Sequence, residues 1–163
     1  MGKENTGNGF AYEFISSDTE YECPWYRVDD VHYKVDGKPM SRLLIGHPDV
    51  VNVMVHDADN DRYLIEREFR LGAGRVKVNV PSGFIFDGEN PSMAVVRETR
   101  EETGLRIDAS DLIRLFEVYK SEGGQTEKAY CFRIDVHDVA ANIGDTDMDE
   151  GEVITSEWVD FDT

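Results

Sequence analysis

The stretch that decides the fold runs from Gly83 to Leu105 and reads GFIFDGENPSMAVVRETREETGL. Asn90 is a favoured N-cap residue, and Pro91 suits the first position of a helix. Gly104 fits the position after the last helical turn, where the backbone becomes left-handed. These residues predict a loop followed by one short helix that ends just before Gly104.

Three acidic side chains of the predicted helix, Glu98, Glu101 and Glu102, share one face because their spacing is i, i+3 and i+4. Like charges so placed destabilise a bare helix by roughly 0.2–0.5 kcal/mol per pair. A hard divalent cation such as Mg²⁺ would turn this repulsion into a stabilising interaction, since Mg²⁺ prefers carboxylate oxygens and retained waters as ligands. Arg97 precedes Glu101 by four positions and can hold one carboxylate in place. Because the chain has 34 acidic residues, an acidic face alone indicates only a solvated surface.

The spacing across the whole stretch is more specific than its acidic face. Five residues separate Gly83 from Glu89, and seven more precede the pair Arg97-Glu98. This pattern resembles the Nudix box, the signature of hydrolases that cleave a nucleoside diphosphate linked to another group. Every charged and glycine position of the family pattern is filled, whereas Thr99 stands where an aliphatic residue is usual, and we expect its methyl group to pack inward. The resemblance implies a mixed α/β fold, namely an α/β/α sandwich with a mixed β-sheet and an N-terminal strand region.

Size and composition limit the possible functions. At 163 residues, 40% of them hydrophobic, the chain is long enough for one domain with a real core. Its formal net charge of −17 argues against nucleic-acid binding through phosphate contacts and against an anionic membrane surface. The N-terminus lacks the apolar core of a signal peptide, and the two cysteines, Cys23 and Cys131, indicate neither a disulfide framework nor a metal cluster. We therefore expect a cytoplasmic protein whose partner is a small molecule.

Alternating and β-branched segments predict a series of strands around the one strong helix. We expect a disordered tail over residues 1–9, an N-terminal strand region over 10–46 and the Nudix hydrolase domain over 47–163. The predicted strands of that domain lie near residues 50–56, 62–70, 76–85, 112–120, 128–136 and 153–161, and a short helix is predicted near 139–143.

One segment also fits a calcium loop. Oxygen-bearing side chains stand at positions 1, 3, 5, 7 and 12 of an EF-hand pattern, namely Asp57, Asp59, Asp61, Tyr63 and Glu68. Position 6 should be the glycine of a sharp turn but is Arg62, and the flanking residues alternate as in strands. We therefore interpret residues 57–61 as the polar tip of a hairpin, with a calcium-binding protein as the alternative.

Further segments resemble the ADP-ribose and nucleotide-sugar pyrophosphatases of the Nudix group. REFR at 67–70 resembles a strand end whose last arginine contacts substrate, which implies that role for Arg70. PSG at 81–83 resembles the Pro-Ala-Gly before the box, and the Ser82 carbonyl is implied as a metal ligand. SEGGQTE at 121–127 resembles Ser-Pro-Gly-Gly-x-x-Glu, which implies substrate binding by Glu127.

The resemblance also implies a centre for metal-assisted attack of water on a diphosphate. The implied ligands of Mg²⁺, or alternatively Mn²⁺, are Glu98, Glu101, Glu102, Ser82 and Glu152. Arg97 would orient the glutamates, and Arg70 would clamp phosphate oxygens. Glu150 would be the general base that accepts a proton from water, with Glu101 and Glu127 as alternatives.

The expected reaction converts ADP-ribose to AMP and ribose 5-phosphate, in a homodimer joined through the N-terminal strand region. The rival functions are a Nudix hydrolase of nucleotide sugars, NADH or nucleoside triphosphates, and a non-catalytic sensor of nucleotide sugars. Because every glutamate of the box is present, the sensor is the weaker rival. Trp25, Tyr26 and Phe69 are candidates for stacking on a base, but we expect them to pack in the core.

Overall fold

A computed structural model describes residues 4–5, 9–148 and 153–161 of the chain. Within these ranges the strands and helices are, in chain order, β1 (Glu4–Asn5), β2 (Ala11–Glu22), β3 (Arg27–Val35), β4 (Lys38–Gly46), β5 (Val50–Asp57), β6 (Arg62–Arg70), β7 (Arg75–Asn79), β8 (Ser82–Phe84), α1 (Pro91–Thr103), β9 (Ile113–Tyr119), β10 (Lys128–Val136), α2 (Val139–Asn142) and β11 (Ile154–Asp160). The chain divides into two compact units: the residues up to Pro48 with 119–128 form the first, and 49–118 with the residues from Ala129 onward form the second.

The first unit contains an antiparallel sheet in the order β1-β2-β3-β4. Asp36 and Gly37 connect β3 to β4 with φ angles of 50° and 77°, and an Asp-Gly pair with two positive φ angles is a preferred two-residue hairpin turn. Residues 10–46 thus contain strands β2, β3 and β4. Glu4 and Asn5, within the segment expected to be a disordered tail, pair with β2 as strand β1.

The second unit is built on a sheet in the order β11-β6-β5-β10-β9, with β7 added to β6 and β8 added to β5. Strand β5 runs parallel to β10 and antiparallel to β6 and β8. A sheet that mixes both pairings, together with few helices, confirms the mixed α/β class. The core of this unit contains the alternating residues Val51, Val53 and Val55 of β5, each no more than 1% exposed.

Helix α1 begins and ends where its capping residues predict. The Asn90 side chain accepts a hydrogen bond from the backbone N–H of Ser92 over 2.9 Å, and Gly104 ends the helix with a φ of 72°. Thr99 is fully buried, which confirms the inward packing expected for it. Helix α2 covers four residues of the predicted 139–143. Neither helix of the described ranges is long and apolar enough to cross a membrane.

The strand predicted over 76–85 is instead two strands, β7 and β8, which pair with different neighbours. Pro81 lies at the break, and proline has no backbone N–H to continue a ladder of hydrogen bonds. The carbonyl of Pro81 accepts a hydrogen bond from the N–H of Val53 over 3.0 Å, so the chain stays attached to β5 at this point. Because of this break, the backbone at Ser82 and Gly83 pairs with β5, whereas the preceding strand β7 pairs with β6.

Residues 57–61 form the tip of the hairpin between β5 and β6, as interpreted from the sequence. The fully buried Asp57 accepts hydrogen bonds from the backbone N–H groups of Asp59 and Asn60 and forms an ion pair with Arg62. Two strands flank the segment where an EF-hand requires two helices, so the calcium-loop alternative is wrong.

The three aromatic residues expected in the core are exposed instead. The exposed fractions are 64% for Trp25, 41% for Tyr26 and 57% for Phe69. Trp25 and Tyr26 lie in the connection between β2 and β3, and Phe69 is the last residue but one of β6, where it pairs with Val76 of β7.

Candidate active site

Arg97 organises the glutamates of the box. Its Nε and Nη2 atoms donate to the two carboxylate oxygens of Glu89, over 3.0 and 2.9 Å. Its Nη1 atom donates to Glu98 over 2.7 Å and to Glu101 over 3.2 Å, and Nη2 donates a second bond to the carbonyl of Phe84 over 2.7 Å. These contacts engage all five N–H donors of a guanidinium group. Burial disfavours the charged form of Arg97. The hydrogen bonds to Glu89 and Glu98 favour that form more strongly, so the pKa of Arg97 is raised.

Two further carboxyl groups meet beside this network, in the core. Glu102 of α1 is 5% exposed and Glu66 of β6 is 2% exposed, and their side chains share a hydrogen bond. One Glu102 oxygen also accepts a hydrogen bond from the backbone N–H of Ser82 over 3.1 Å. Burial raises the pKa of both glutamates, and the charge of Glu66 raises that of Glu102 further.

Gly83 allows the backbone of β8 to approach the carboxylate of Glu98. A Cβ atom at this position would lie 1.9 Å from the carboxyl carbon of Glu98 and 2.0 and 2.3 Å from its oxygens. Strand β8 is held in this place by its pairing with β5, in which Gly83 faces Val51. The glycine is therefore required by the space that Glu98 occupies.

Comparison with known proteins places this arrangement in a family. The model of the NUDIX domain matches residues 46–163, which is most of the chain. The chain belongs to the Nudix hydrolase family. The box glutamates, Arg97 and Gly83 thus stand in a Nudix domain, as the resemblance of the sequence implied.

Curated proteins similar to this Nudix chain include an ADP-ribose pyrophosphatase of Bacillus subtilis (strain 168), which is 30% identical over 123 residues, covering 76% of this chain and 64% of that protein. A methanol dehydrogenase activator of Bacillus methanolicus is 29% identical over 90 residues, covering 55% of this chain and 48% of that protein. A GDP-mannose pyrophosphatase of Yersinia pestis (strain Pestoides F) is 40% identical over 53 residues, covering 32% of this chain and 26% of that protein. The chain therefore spans less than two thirds of each of these relatives.

The other predicted site residues lie in different parts of the Nudix chain. Arg70 ends β6, where its Nη2 lies 3.0 Å from a Glu68 oxygen and its charge partly opposes the raised pKa of Glu66. Glu127 lies in the first unit, where it is buried and forms ion pairs with Lys120 over 2.6 Å and with His47 over 3.6 Å. The predicted general base Glu150 and the predicted ligand Glu152 lie outside the described residues.

Nudix hydrolases generally use divalent metal ions, and the chemistry around Glu102 fits one. Oε1 of Glu66 is buried, and no donor within the described residues reaches it. A buried carboxylate oxygen without a donor is a suitable ligand for a hard cation. As the side chains stand, no three Asp, Glu, His or Cys residues of the described ranges converge on one point, and the Glu98 carboxylate is held by Arg97. An ion here would therefore need waters, a rotated Glu98 or residues outside those ranges to complete its shell.

Sequence reasoning missed Glu66, although a signal for it was present. Strand β6 buries Leu64 and Glu66 on one face, because alternate residues of a strand point to the same side. Reading the alternation of RYLIEREFR with Leu64 inward would have placed Glu66 inward as well. Its meeting with Glu102 depends on how the helix packs on the sheet, which local pattern does not specify.

Proposed function

We propose that this protein hydrolyses the diphosphate bond of a nucleoside diphosphate linked to another group, with ADP-ribose, giving AMP and ribose 5-phosphate, as the expected substrate. The observation that carries the proposal is the cluster of carboxylates around Arg97, from α1 and the loop before it, beside the backbone of Gly83 within a Nudix domain. Similarity to an ADP-ribose pyrophosphatase and a GDP-mannose pyrophosphatase supports this class of substrate.

The box residues have distinct roles in this proposal. Glu98, Glu101 and Glu102 would hold Mg²⁺ or Mn²⁺, with the Ser82 carbonyl and Glu152 as further ligands. When bound, the cation neutralises charge on the phosphoryl oxygens and lowers the pKa of the attacking water. Because the N–H donors of Arg97 are engaged by glutamates and a backbone carbonyl, Arg97 positions these carboxylates instead of contacting the substrate.

Substrate binding must overcome the net charge of −17, which repels a polyanion. Arg70 can do this because its side chain is about half exposed and pairs with the carboxylate of Glu68 over 3.0 Å. A guanidinium can hold two phosphate oxygens at once. Glu127 would contribute a second contact to the substrate.

The proton released by the attacking water needs an acceptor. We assign this role to Glu150, in the acidic segment before β11, with Glu101 and Glu127 as alternatives. Glu101 is tied to Arg97 over 3.2 Å, and Glu127 to Lys120 over 2.6 Å. Each of these ion pairs occupies an oxygen of the carboxylate that would have to accept the proton.

Assembly and location belong to the same proposal. We assign a cytoplasmic homodimer joined through the N-terminal strand region, on the basis of the resemblance to the ADP-ribose pyrophosphatases. Light scattering coupled to size-exclusion chromatography would test the dimer, and a monomer at assay concentrations would overturn the assignment.

A substrate panel with Mg²⁺ tests the proposed activity. ADP-ribose, GDP-mannose, NADH and a nucleoside triphosphate would be compared by kcat/KM, with products separated by anion-exchange chromatography. We expect the highest value for ADP-ribose, with AMP as a product. A higher value for GDP-mannose would transfer the substrate assignment to the nucleotide sugars, and no hydrolysis of any linked diphosphate would overturn the proposal.

A further inference from the structure

We propose that Glu66 on strand β6 is an additional ligand of the divalent cation, which it would share with Glu102. This inference deepens the proposed function and rests on the cation site assigned there. It adds a residue that lies outside the box, on a strand that the box motif does not include.

The burial of Glu66 is the first argument. Its side chain is 2% exposed, and its Oε1 atom is buried with no donor in reach within the described residues. Burying a carboxylate without a partner destabilises a protein strongly, so buried acids are normally paired with a base, hydrogen-bonded or bound to a metal. No described Lys, Arg or His side chain forms an ion pair with Glu66, and its hydrogen-bond partner is a second acid, Glu102.

The direction of the side chain is the second argument. Glu66 lies on the inward face of β6 with Leu64, opposite Ser156 of β11 in the strand register. It therefore points toward α1, where it meets Glu102, one of the box glutamates. The backbone N–H of Ser82 holds one oxygen of Glu102 over 3.1 Å. Two carboxyl groups thus face each other with one oxygen of Glu66 free to accept a cation.

Charge balance is the third argument. Glu66 and Glu102 are both buried beside each other, and Glu98 lies one helical turn before Glu102 on α1. Arg97 forms an ion pair with Glu98, and Arg70 attracts the charge of Glu66 without forming an ion pair with it. A divalent ion between Glu66 and Glu102 would compensate both carboxylates, since no basic side chain of the described ranges forms an ion pair with either.

The competing role for Glu66 is purely structural, as a hydrogen-bond partner that orients Glu102. Replacing Glu66 by glutamine separates the two roles. Glutamine has the same shape and can still hydrogen-bond to Glu102, but its amide is a neutral and weaker ligand. A structural role therefore predicts unchanged cation affinity in this variant, whereas a ligand predicts weaker binding.

Binding of Mn²⁺ to the metal-free protein, without nucleotide, is the readout. Full-length wild type, Glu66→Gln and Glu157→Gln would be stripped with a chelator and titrated while free Mn²⁺ is followed by electron paramagnetic resonance. Glu157 of β11 is the matched control, because it loses the same charge from a neighbouring strand but is exposed and paired with Arg67. We expect affinity to fall at least about tenfold in Glu66→Gln, as for residues that support a metal centre, and by less than about twofold in the control.

Each outcome decides the inference. Wild-type affinity in Glu66→Gln would overturn it, and so would equal losses in both variants. Thermal unfolding in chelator verifies that Glu66→Gln is folded. If that variant is not folded, Glu66→Asp keeps the charge but shortens the reach, and unchanged Mn²⁺ affinity in it would equally count against a ligand. Weaker Mn²⁺ binding without hydrolysis of any diphosphate would overturn the proposed function alone, whereas hydrolysis with unchanged Mn²⁺ binding would overturn the role of Glu66 alone.

Discussion

Replacing Gly83 by alanine should disable the enzyme while leaving it folded. The new Cβ would lie 1.9 Å from the carboxyl carbon of Glu98, whereas ordinary contact begins near 3.4 Å. The carboxylate must therefore retreat by about 1.5 Å, the difference between these two distances. Gly83 does not have a positive φ, so alanine introduces no backbone strain of its own.

The expected magnitudes differ for activity and stability. Misplacing a catalytic group by about 1 Å can lower the rate about 100-fold, so kcat/KM should fall by at least that factor. Stability should fall by no more than about 2 kcal/mol, the value of one charge-assisted hydrogen bond, because the 2.7 Å contact between Glu98 and Arg97 is the one at risk. The other four hydrogen bonds of Arg97 do not involve Glu98.

Two measurements test this reasoning: kcat/KM for ADP-ribose with Mg²⁺, and the free energy of unfolding from urea denaturation. Gly72→Ala is the matched control, because a Cβ there meets nothing within 4 Å and the residue has no positive φ. The control should keep the wild-type values of both quantities. Wild-type kcat/KM in Gly83→Ala would refute the idea that the close approach to Glu98 serves catalysis.

Three further predictions follow from the same contacts. Arg97→Gln leaves Glu89 and Glu98 without their main partner, so the free energy of unfolding in chelator should fall by about 3 kcal/mol in urea denaturation; a loss below about 1 kcal/mol would contradict the network. Arg70→Ala should raise KM for ADP-ribose at least about tenfold with little change in kcat, because it removes a phosphate contact made in ground and transition states alike; an unchanged KM would exclude the clamp. Burial raises the pKa of Glu66 to about 7 and that of Glu102 to about 9, from 4.5 in an exposed chain. The folded state therefore retains protons that the unfolded chain has released, so stability in chelator should decline as the pH rises from about 5 to 9. Denaturation across that range should show a smaller decline in Glu66→Gln, and an equal decline would contradict the buried pair.

Local chemistry made the box helix predictable. The N-cap Asn90, the proline after it and the left-handed Gly104 each act on their own backbone, so the sequence alone specified both ends of α1. The same holds for the Asp36-Gly37 turn and for the hairpin tip at residues 57–61, where the preference of each residue agrees with the observed strands. The resemblance of the whole stretch to the Nudix box then predicted the fold class.

Contacts between distant segments were beyond such reasoning. The break at Pro81 was visible as a proline, but its result, the transfer of the chain from β6 to β5, depends on the order of strands in the sheet. The meeting of Glu66 with Glu102 joins residues 36 positions apart in the numbering through the packing of α1 on β6. Trp25 and Phe69 were expected inside because large aromatic residues are usually buried, but the ends of elements often leave them exposed.

We propose that the carboxylates of α1 support hydrolysis of a linked nucleoside diphosphate. The most direct test is release of AMP from ADP-ribose with Mg²⁺, by wild type and by Glu102→Gln, followed by chromatography. We expect the wild type to produce AMP, a chelator to abolish that production, and the variant to reduce it at least about 100-fold. Turnover by Glu102→Gln equal to that of the wild type would contradict the assignment of the buried glutamate to the catalytic centre.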